Sequence, residues 1–374
     1  MSMFYELMMR KKEEIMYATI KGTLTENNGV FSGFSASDYL ETQKNIAYNN
    51  DSWEYLFKFT TGNDVTTQQC ICENYYQDNT VGYCGLTLYL QNGAMYYRLG
   101  TGNNQVIVTS YVGAFSANTT YYFSVTLDKS ISKIIFKSGT SKSTMTTLRE
   151  TNNSITVGNL NYPMRIGRRH TNNSSAVFAF GGSIDLNESY LKLGSTKYKL
   201  QAVVGYTVVG SPTITDGVVS GFTTSDYLQI ALTYSDFQNK KAEIIFKYNS
   251  PSPSASNRYF RFGTDVDNAY YLRIEDDTTF CFYAINKKYK TNLICSDYSY
   301  VRLVTENGFE NNIRISCSND GINWINGNIT IEDISPLSIR NYNFIIGRIV
   351  KGSIDLNETI IKIDNKLWFN GQQA

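Results

Sequence analysis

Between Trp53 and Thr60 large apolar residues alternate with others: Trp53, Tyr55, Phe57 and Phe59 fall on one side, Glu54, Leu56, Lys58 and Thr60 on the other. A period of two predicts a strand with one buried face. Gly85–Leu99 reads as a hairpin turning at Asn92-Gly93, a pair suited to a tight two-residue turn. Its counterpart later in the chain turns at Asp276-Asp277. Ile313–Trp324 reads as strand, turn at Asn319-Asp320-Gly321, strand. Many short strands separated by turn signals predict a sandwich or barrel. A helical period occurs only at the start, where Phe4, Leu7, Met8, Ile15 and Met16 are the apolar positions of a short helix over Phe4–Met16.

The pattern occurs twice. Val30–Leu40 matches Val218–Leu228, and Gly182–Glu188 is repeated residue for residue as Gly352–Glu358. Between them, in order, Glu54-x-x-Phe57-Lys58 pairs with Glu243-x-x-Phe246-Lys247, Leu88-x-Leu90 with Leu272-x-Ile274, and Ile166-Gly167-Arg168 with Ile346-Gly347-Arg348. Five ordered matches mark a duplicated module. The offset shrinks from 188 (Gly33 to Gly221) to 170 (Ser183 to Ser353), so copy 1 carries the longer loops, notably Cys70–Cys84 and Arg169–Gly181. The reading is an N-terminal docking segment over 1–16, one domain over 17–203 and a second over 204–374. Lys197–Gly205 joins the copies without a Pro/Ser-rich linker.

In Gly182–Glu188 the apolar positions are Ile184 and Leu186, then Leu191 and Leu193; copy 2 makes the same switch with Ile354, Leu356, Ile361 and Ile363. A strand changes parity only through extra residues, which predicts a β-bulge near Asn187 and Asn357. The bulge leaves Asp185, Glu188 and Tyr190 off the core.

Composition adds exclusions. The chain has 374 residues, 29 tyrosines, five prolines and a net charge of +1. Halves of roughly 170–190 residues bury about 70% of their unfolded surface, so neither needs a staple. Basic runs such as Arg10-Lys11-Lys12 and Arg168-Arg169 are short, too little for a nucleic-acid face. No apolar run reaches the ~18 residues of a membrane span. Met1–Met16 carries Arg10, Lys11, Lys12, Glu13 and Glu14 where a secretory signal needs an apolar core, so folding in a cytoplasm is expected. Cys70, Cys72, Cys84, Cys281, Cys295 and Cys317 follow no zinc spacing, and His170 is the single histidine. They read as reduced thiols, with a Cys70–Cys84 staple open if the protein meets air.

Ile166-Gly167-Arg168, a loop, Gly182-Ser183-Ile184-Asp185 and then Tyr190 resemble the closing strands of laminin-G-like and concanavalin A-like jelly rolls. Copy 2 keeps the pattern but has Ile360 in place of Tyr190. The resemblance implies an all-β chain of two tandem antiparallel β-sandwich (jelly-roll, concanavalin A-like) domains, with a short N-terminal helical or extended segment. It also implies that Gly182, Asp185, Glu188, Gly352, Asp355 and Glu358 are structural. Some glucanases of this fold carry Glu-x-Asp-x-x-Glu; here Ser183 and Ser353 replace the first carboxylate. A retaining glycosidase needs carboxyl groups about 5–5.5 Å apart. Three strand residues span about 10 Å, which places Asp185 and Glu188 badly.

No P-loop, nucleophile elbow or His-based triad is present. Tyr, Asn and Asp in the longer copy 1 loops suit sugar binding: Tyr75, Tyr76, Asp78 and Asn79 in one, His170, Asn172 and Asn173 beside Arg168 in the other. No cofactor is expected; calcium is compatible with Asp78, Asp265 and Asp267. Duplicated sandwiches without a signal peptide resemble bacteriophage virion proteins. That likeness implies a non-catalytic fibre or adhesin in a virion, holding other virion proteins through residues 1–16 and a host-surface glycan through the sandwiches. It is compatible with a homo-oligomer. A free bacterial carbohydrate-binding module and a glucanase-like glycoside hydrolase stay open as alternatives.

Overall fold

A computed structural model describes residues 14–48, 51–74, 76–78, 82–101, 106–110, 113–152, 162–169, 178–249, 258–262, 270–275, 279–284, 287–309, 312–334, 343–347, 350 and 352–371. The chain is all-β and divides into two compact units, Met1–Ala202 and Val203–Ala374. Among the described residues the helix content is one turn, Tyr234–Phe237, and two 3-10 turns.

Each unit is a sandwich of antiparallel strands. In unit 1 one layer runs Val106–Ser110, Ala94–Thr101, Gly82–Gln91, Gln69–Glu73, Pro163–Ile166, Tyr39–Asn45, Glu14–Lys21. The other runs Ser183–Leu193, Trp53–Thr60, Thr120–Asp128, Lys133–Gly139, Thr146–Asn152. Thr196–Val204 hydrogen-bonds to both Glu14–Lys21 and Ser183–Leu193 and ties the layers at one edge. Unit 2 repeats the order with two separate sheets. Tyr206–Val209, Tyr227–Thr233, Asn343–Ile346, Arg258–Phe262, Tyr271–Glu275, Thr279–Ala284, Lys287–Ile294 and Ile329–Asp333 form the first. Val218–Ser220, Ser353–Ile363, Ala242–Asn249, Tyr300–Thr305, Arg314–Ser318 and Ile325–Asn326 form the body of the second.

The alternation of Trp53–Thr60 becomes the core. Trp53, Tyr55, Phe57 and Phe59 are buried and pack with Leu88, Leu90, Tyr97 and Ile166 of the facing layer in a cluster drawn wholly from residues 16 to 202. Tyr97 meets Phe136 across the layers at 5.0 Å, and Phe246 meets Phe260 in unit 2 at 5.6 Å. Burying such side chains contributes about 1.5–3 kcal/mol each.

The repeated Ser-Gly-Phe motif makes a corner in both copies. Asp38 accepts the Thr23 N–H (2.7 Å) and the Ser35 hydroxyl; Asp226 accepts the Ser211 N–H (2.8 Å) and the Thr223 hydroxyl (2.5 Å). The Ser35 and Thr223 hydroxyls, then these backbone donors, hold both carboxylates below their ordinary range. Phe34 and Phe222 lie against Gly167 and Gly347, whose φ values are +83° and +80°; a Cβ there would sit 2.0 and 2.2 Å from the rings. Only glycine combines that backbone with that contact.

Four expectations need correction. Residues 14–16, placed in an N-terminal helix or docking segment, open the strand Glu14–Lys21, and Met16 is buried in the core. Paired on both sides, this strand gains more from burying Met16 than a short isolated helix gains locally; residues 1–13 lie outside the described residues. The supposed Cys70–Cys84 loop is largely strand: Tyr76–Asp78 pairs with the start of Gly82–Gln91, Asp78 facing Gly82 and Tyr76 facing Cys84. The staple is absent, because all six cysteines are free and buried. Cys70 faces Tyr89, five residues along the strand from Cys84 and so about 16 Å from it, far beyond disulfide reach. Finally, the strand after the Asn319–Gly321 turn begins only at Ile325. The Asp320 carboxylate accepts the N–H groups of Ile322 and Asn323, both at 2.8 Å, and extends the turn.

Candidate functional site

The repeated Ser-Ile-Asp-Leu-Asn-Glu strand is a built station in both copies. Asp185 faces Lys58 and Tyr190 faces Leu56, so four residues, Leu186 to Ser189, lie opposite Phe57 alone. The register breaks likewise between Asp355–Lys247 and Ile360–Ile245. The bulge expected near Asn187 and Asn357 is there, and it is wider than a single inserted residue. Asp185 holds it: Oδ1 accepts the Asn187 N–H at 3.0 Å and Oδ2 pairs with the Lys58 ammonium at 2.8 Å. The Ser189 hydroxyl donates to the Asp185 carbonyl (2.6 Å) and accepts the Lys58 N–H (3.1 Å). Asp355 repeats this with Asn357 (3.1 Å) and Lys247 (3.2 Å), and the Thr359 hydroxyl donates to its carbonyl. Hydrogen bonding to the aspartate raises both lysines above the usual range.

Both Asp185 oxygens are therefore engaged in shaping the strand. Glu188 and Glu358 are exposed at the outside of the bulge. Asp185 and Asp355 are each bonded both to a lysine of the neighbouring strand and to a backbone N–H inside the bulge. Gly182 packs against the Thr60 carbonyl at the entry to the strand. Gly352 opens its copy 2 counterpart with φ +127°.

The loop residues singled out for sugar binding are brought together only in part. Tyr75, Asn79, His170, Asn172 and Asn173 lie outside the described residues, as do Asp265 and Asp267. Tyr76 and Asp78 belong to the short hairpin strand. Arg168 bridges to Ala179, and its guanidinium lies 4.9 Å from the centre of the Tyr39 ring. Arg165 lies 5.0 Å from the same ring while its Nε donates to Glu41. Arg168 is thus half of an arginine–tyrosine stack on the outer face of the sheet. Among the described residues no group of three or more His, Cys, Asp or Glu side chains is placed to hold a metal ion, and no helix is long and apolar enough to cross a membrane.

At the loop end of unit 1 an open cleft of about 670 Å³ is lined by Asp64, Thr67, Gln68, Gln69, Gln91 and Phe178, with Ala179 and Gly181. Its position follows from the hairpin. Asn92 and Gly93, both at positive φ, make the tight turn, and their N–H groups donate to the Thr66 and Val65 carbonyls. That docks Gln91 beside Asp64. Gln69 clamps the other wall: its Nε2 donates to the Asp64 carbonyl (2.6 Å) and its Oε1 accepts the Gly181 N–H (2.9 Å). The Cys70 N–H donates to the Phe178 carbonyl, which sets Phe178 at the rim. Hydrogen bonds from the Thr67 hydroxyl first, then from Thr66, hold Asp64 well below the usual carboxylate range. The cleft thus presents a fixed carboxylate, carboxamides and an aromatic side chain. Phe178, Ala179 and Gly181, at the end of the Arg169–Gly181 stretch, form its rim. Asp64, Gln68 and Gln91 carried no sequence signal, because they meet only where the Asn92-Gly93 turn docks on the loop ahead of Gln69.

No family model matches the chain, and no curated protein matches it. Solved structures do. Domains LG4-5 of the mouse laminin α1 chain align over 97% of this chain and 95% of their own at 10% identity, with a TM-score of 0.32. The receptor-binding domain of a botulinum neurotoxin of mosaic serotype C/D aligns over 96% and 93% at 10% identity, with a TM-score of 0.35. The CBM40 of a Ruminococcus gnavus IT-sialidase, bound to α2,3-sialyllactose, aligns over 43% and 89% at 12% identity, with a TM-score of 0.31.

Proposed function

We propose that this protein is a non-catalytic binding protein of a phage particle and that unit 1 takes a saccharide in the cleft of Asp64, Gln68, Gln91 and Phe178. The observation that carries the binding reading is the chemistry of that cleft. Sugars offer hydroxyls at their edges and C–H groups on their faces, so they pair with carboxylate and carboxamide groups beside an aromatic ring. Asp64 remains an acceptor throughout the physiological range, and the Gln69 clamp pre-organises the walls, which lowers the cost of binding. The virion context rests on the sequence resemblance, and residues 1–13, ahead of the first strand, are the docking segment it requires.

The purified protein should bind a subset of host-surface saccharides, and Phe178→Ala should weaken that binding at least tenfold while the protein stays folded. Deleting residues 1–13 should abolish incorporation into particles without changing saccharide affinity. Full affinity in Phe178→Ala contradicts the site; normal incorporation of the shortened chain favours a free binding module over a virion protein.

A further inference from the structure

Unit 2 carries a second cleft, on the outer face of the sheet built from Ser353–Ile363, Ala242–Asn249, Tyr300–Thr305, Arg314–Ser318 and Ile325–Asn326. It encloses about 320 Å³ and includes Lys241, Glu243, Arg302, Arg314, Ser316 and Lys362 in its lining. Strand register explains why these residues meet. Lys362, Glu243, Val304 and Arg314 face one another along one rung, and Ile360, Ile245, Arg302, Ser316 and Asn326 along the next. Side chains two apart share a face, so both rungs point away from the core.

The charges do not balance. Lys241, Arg302, Arg314 and Lys362 are four cations against the three carboxylates Glu243, Glu306 and Asp364, the last accepting the Lys241 N–H at 3.0 Å, a surplus of one positive charge. Lys362 pairs closely with Glu243 (2.8 Å), Lys241 with Glu306 (3.2 Å), and Arg314 also with Glu306. Arg302 is the least committed: its contact with Glu243 is a loose 3.8 Å. Its guanidinium is instead held over the Trp324 ring at 4.4 Å, and its buried Nε–H has no hydrogen-bond partner. A buried donor without a partner costs about 1–3 kcal/mol. Beside it, the Ser316 hydroxyl and the Asn326 carboxamide are joined at 2.7 Å and line the same cleft.

Copy 1 offers a control inside the same chain. Counting rungs from the shared Glu54 and Glu243, Ser124 stands where copy 2 has Arg302, and Ile135 where it has Arg314. Tyr190 takes the place of Ile360, and its hydroxyl donates to Glu54 at 2.8 Å. Lys197 and Lys142 then cover the Tyr190 ring at 4.4 and 5.4 Å. Both faces carry cations, since Lys192 of copy 1 stands where copy 2 has Lys362 and Lys137 where it has Ser316; what differs is that Tyr190 caps the face in unit 1, while in unit 2 it is open and carries the two guanidinium groups.

We propose that this cleft of unit 2 is a separate binding site for an acidic sugar unit, a saccharide whose carboxylate or sulfate group is taken by Arg302 and Arg314 and whose hydroxyls meet Ser316 and Asn326. Planar guanidinium groups bind such oxyanions through paired hydrogen bonds, and the stack on Trp324 fixes the plane of one of them. The volume lies at the lower end of small-ligand clefts, which suits one sugar unit of a chain. The site shares no residue with the unit 1 cleft and does not depend on it.

The test uses the full chain against immobilised oligosaccharides matched in length and differing in charge: neutral, carboxylated and sulfated, with duplex DNA alongside. The folded wild type should prefer one or both acidic sets over the neutral set, with binding falling as salt rises. The variant Arg302→Gln, Arg314→Gln should lose at least tenfold on the acidic sets, and Phe178→Ala should lose nothing there. Response to the carboxylated set alone, or to the sulfated set alone, identifies the group recognised. Arg302→Lys, which keeps the charge and loses the planar stack, should lose part of the affinity, a change a bare charge effect would not give. Equal binding of neutral and acidic sets, unchanged affinity in a folded double variant, or stronger binding to DNA than to any saccharide overturns the proposal. Loss of the acidic sets in Phe178→Ala overturns the independence of the two sites.

Discussion

Burial decides the chemistry of the thiols. Cys295 lies inside unit 2, and burial pushes its thiol from the ordinary 9.0 up to about 11; Cys70 and Cys72 are raised by burial too. A raised thiol stays protonated in the folded state while the unfolded chain ionises. The folded state then binds more protons than the unfolded one above the ordinary thiol range, so stability falls with rising pH. We expect the urea midpoint to hold between pH 7 and 8 and to drop between about pH 9 and 11. A thiol reagent at pH 8 should label none of the six cysteines until the protein is denatured. Rapid labelling of the native protein would contradict their burial. Whether Cys70 and Cys84 form a staple was open in the sequence; the register of Cys70 against Tyr89 settles it. At this scale the sequence was a poor guide to partners. Nothing in Arg168 by itself announces that it stacks on Tyr39, because that contact depends on a strand pairing far away in the chain.

Strands show how much a parity argument can reach. The shift from Ile184 and Leu186 to Leu191 is visible in both copies, so an irregularity near Asn187 could be read directly. Its width could not. It is set by bonds to a distant turn: the Leu186 N–H donates to the Gly29 carbonyl and the Asn187 side chain to the Asn28 carbonyl. The hairpin at Tyr76–Asp78 was hidden for another reason, since its pairing lacks a strict alternation and sits inside a stretch that copy 2 does not share. The Asn92-Gly93 turn, by contrast, was legible because positive φ at two successive residues selects that pair. The bulge yields a sharp test. Asp185→Ala removes the partner of Lys58 and the acceptor for Asn187, and should destabilise unit 1 by about 1–3 kcal/mol. Glu188→Gln, at an exposed position, should change stability by less than about 0.5 kcal/mol. Chemical denaturation of the two variants beside the wild type reads both; equal stability of all three would contradict the structural role of Asp185.

For the molecule as a whole, one scaffold was copied and its outer surfaces then diverged. The scaffold was legible because core positions repeat: Phe57 and Phe246, Leu88 and Leu272, Ile166 and Ile346 recur in order and all lie in the core. The candidate sites were not, because each assembles residues far apart in sequence. Asp64, Gln91 and Phe178 make one cleft, and Glu243, Arg302, Arg314 and Lys362 the other. Length differences between copies pointed toward the loops of unit 1, while the arginines of unit 2 stand on strands, where equal length conceals a change of chemistry. The two clefts differ in charge: a carboxylate stands in one and arginines and lysines in the other.

All of this requires each copy to close its own sandwich. The direct measurement is thermal and urea unfolding of two separately produced pieces, residues 1–204 and 203–374, followed by circular dichroism and tryptophan fluorescence. Each piece should show a β-rich spectrum and a single cooperative transition. A piece that stays unfolded alone, and folds only when its neighbour is supplied, would contradict the account.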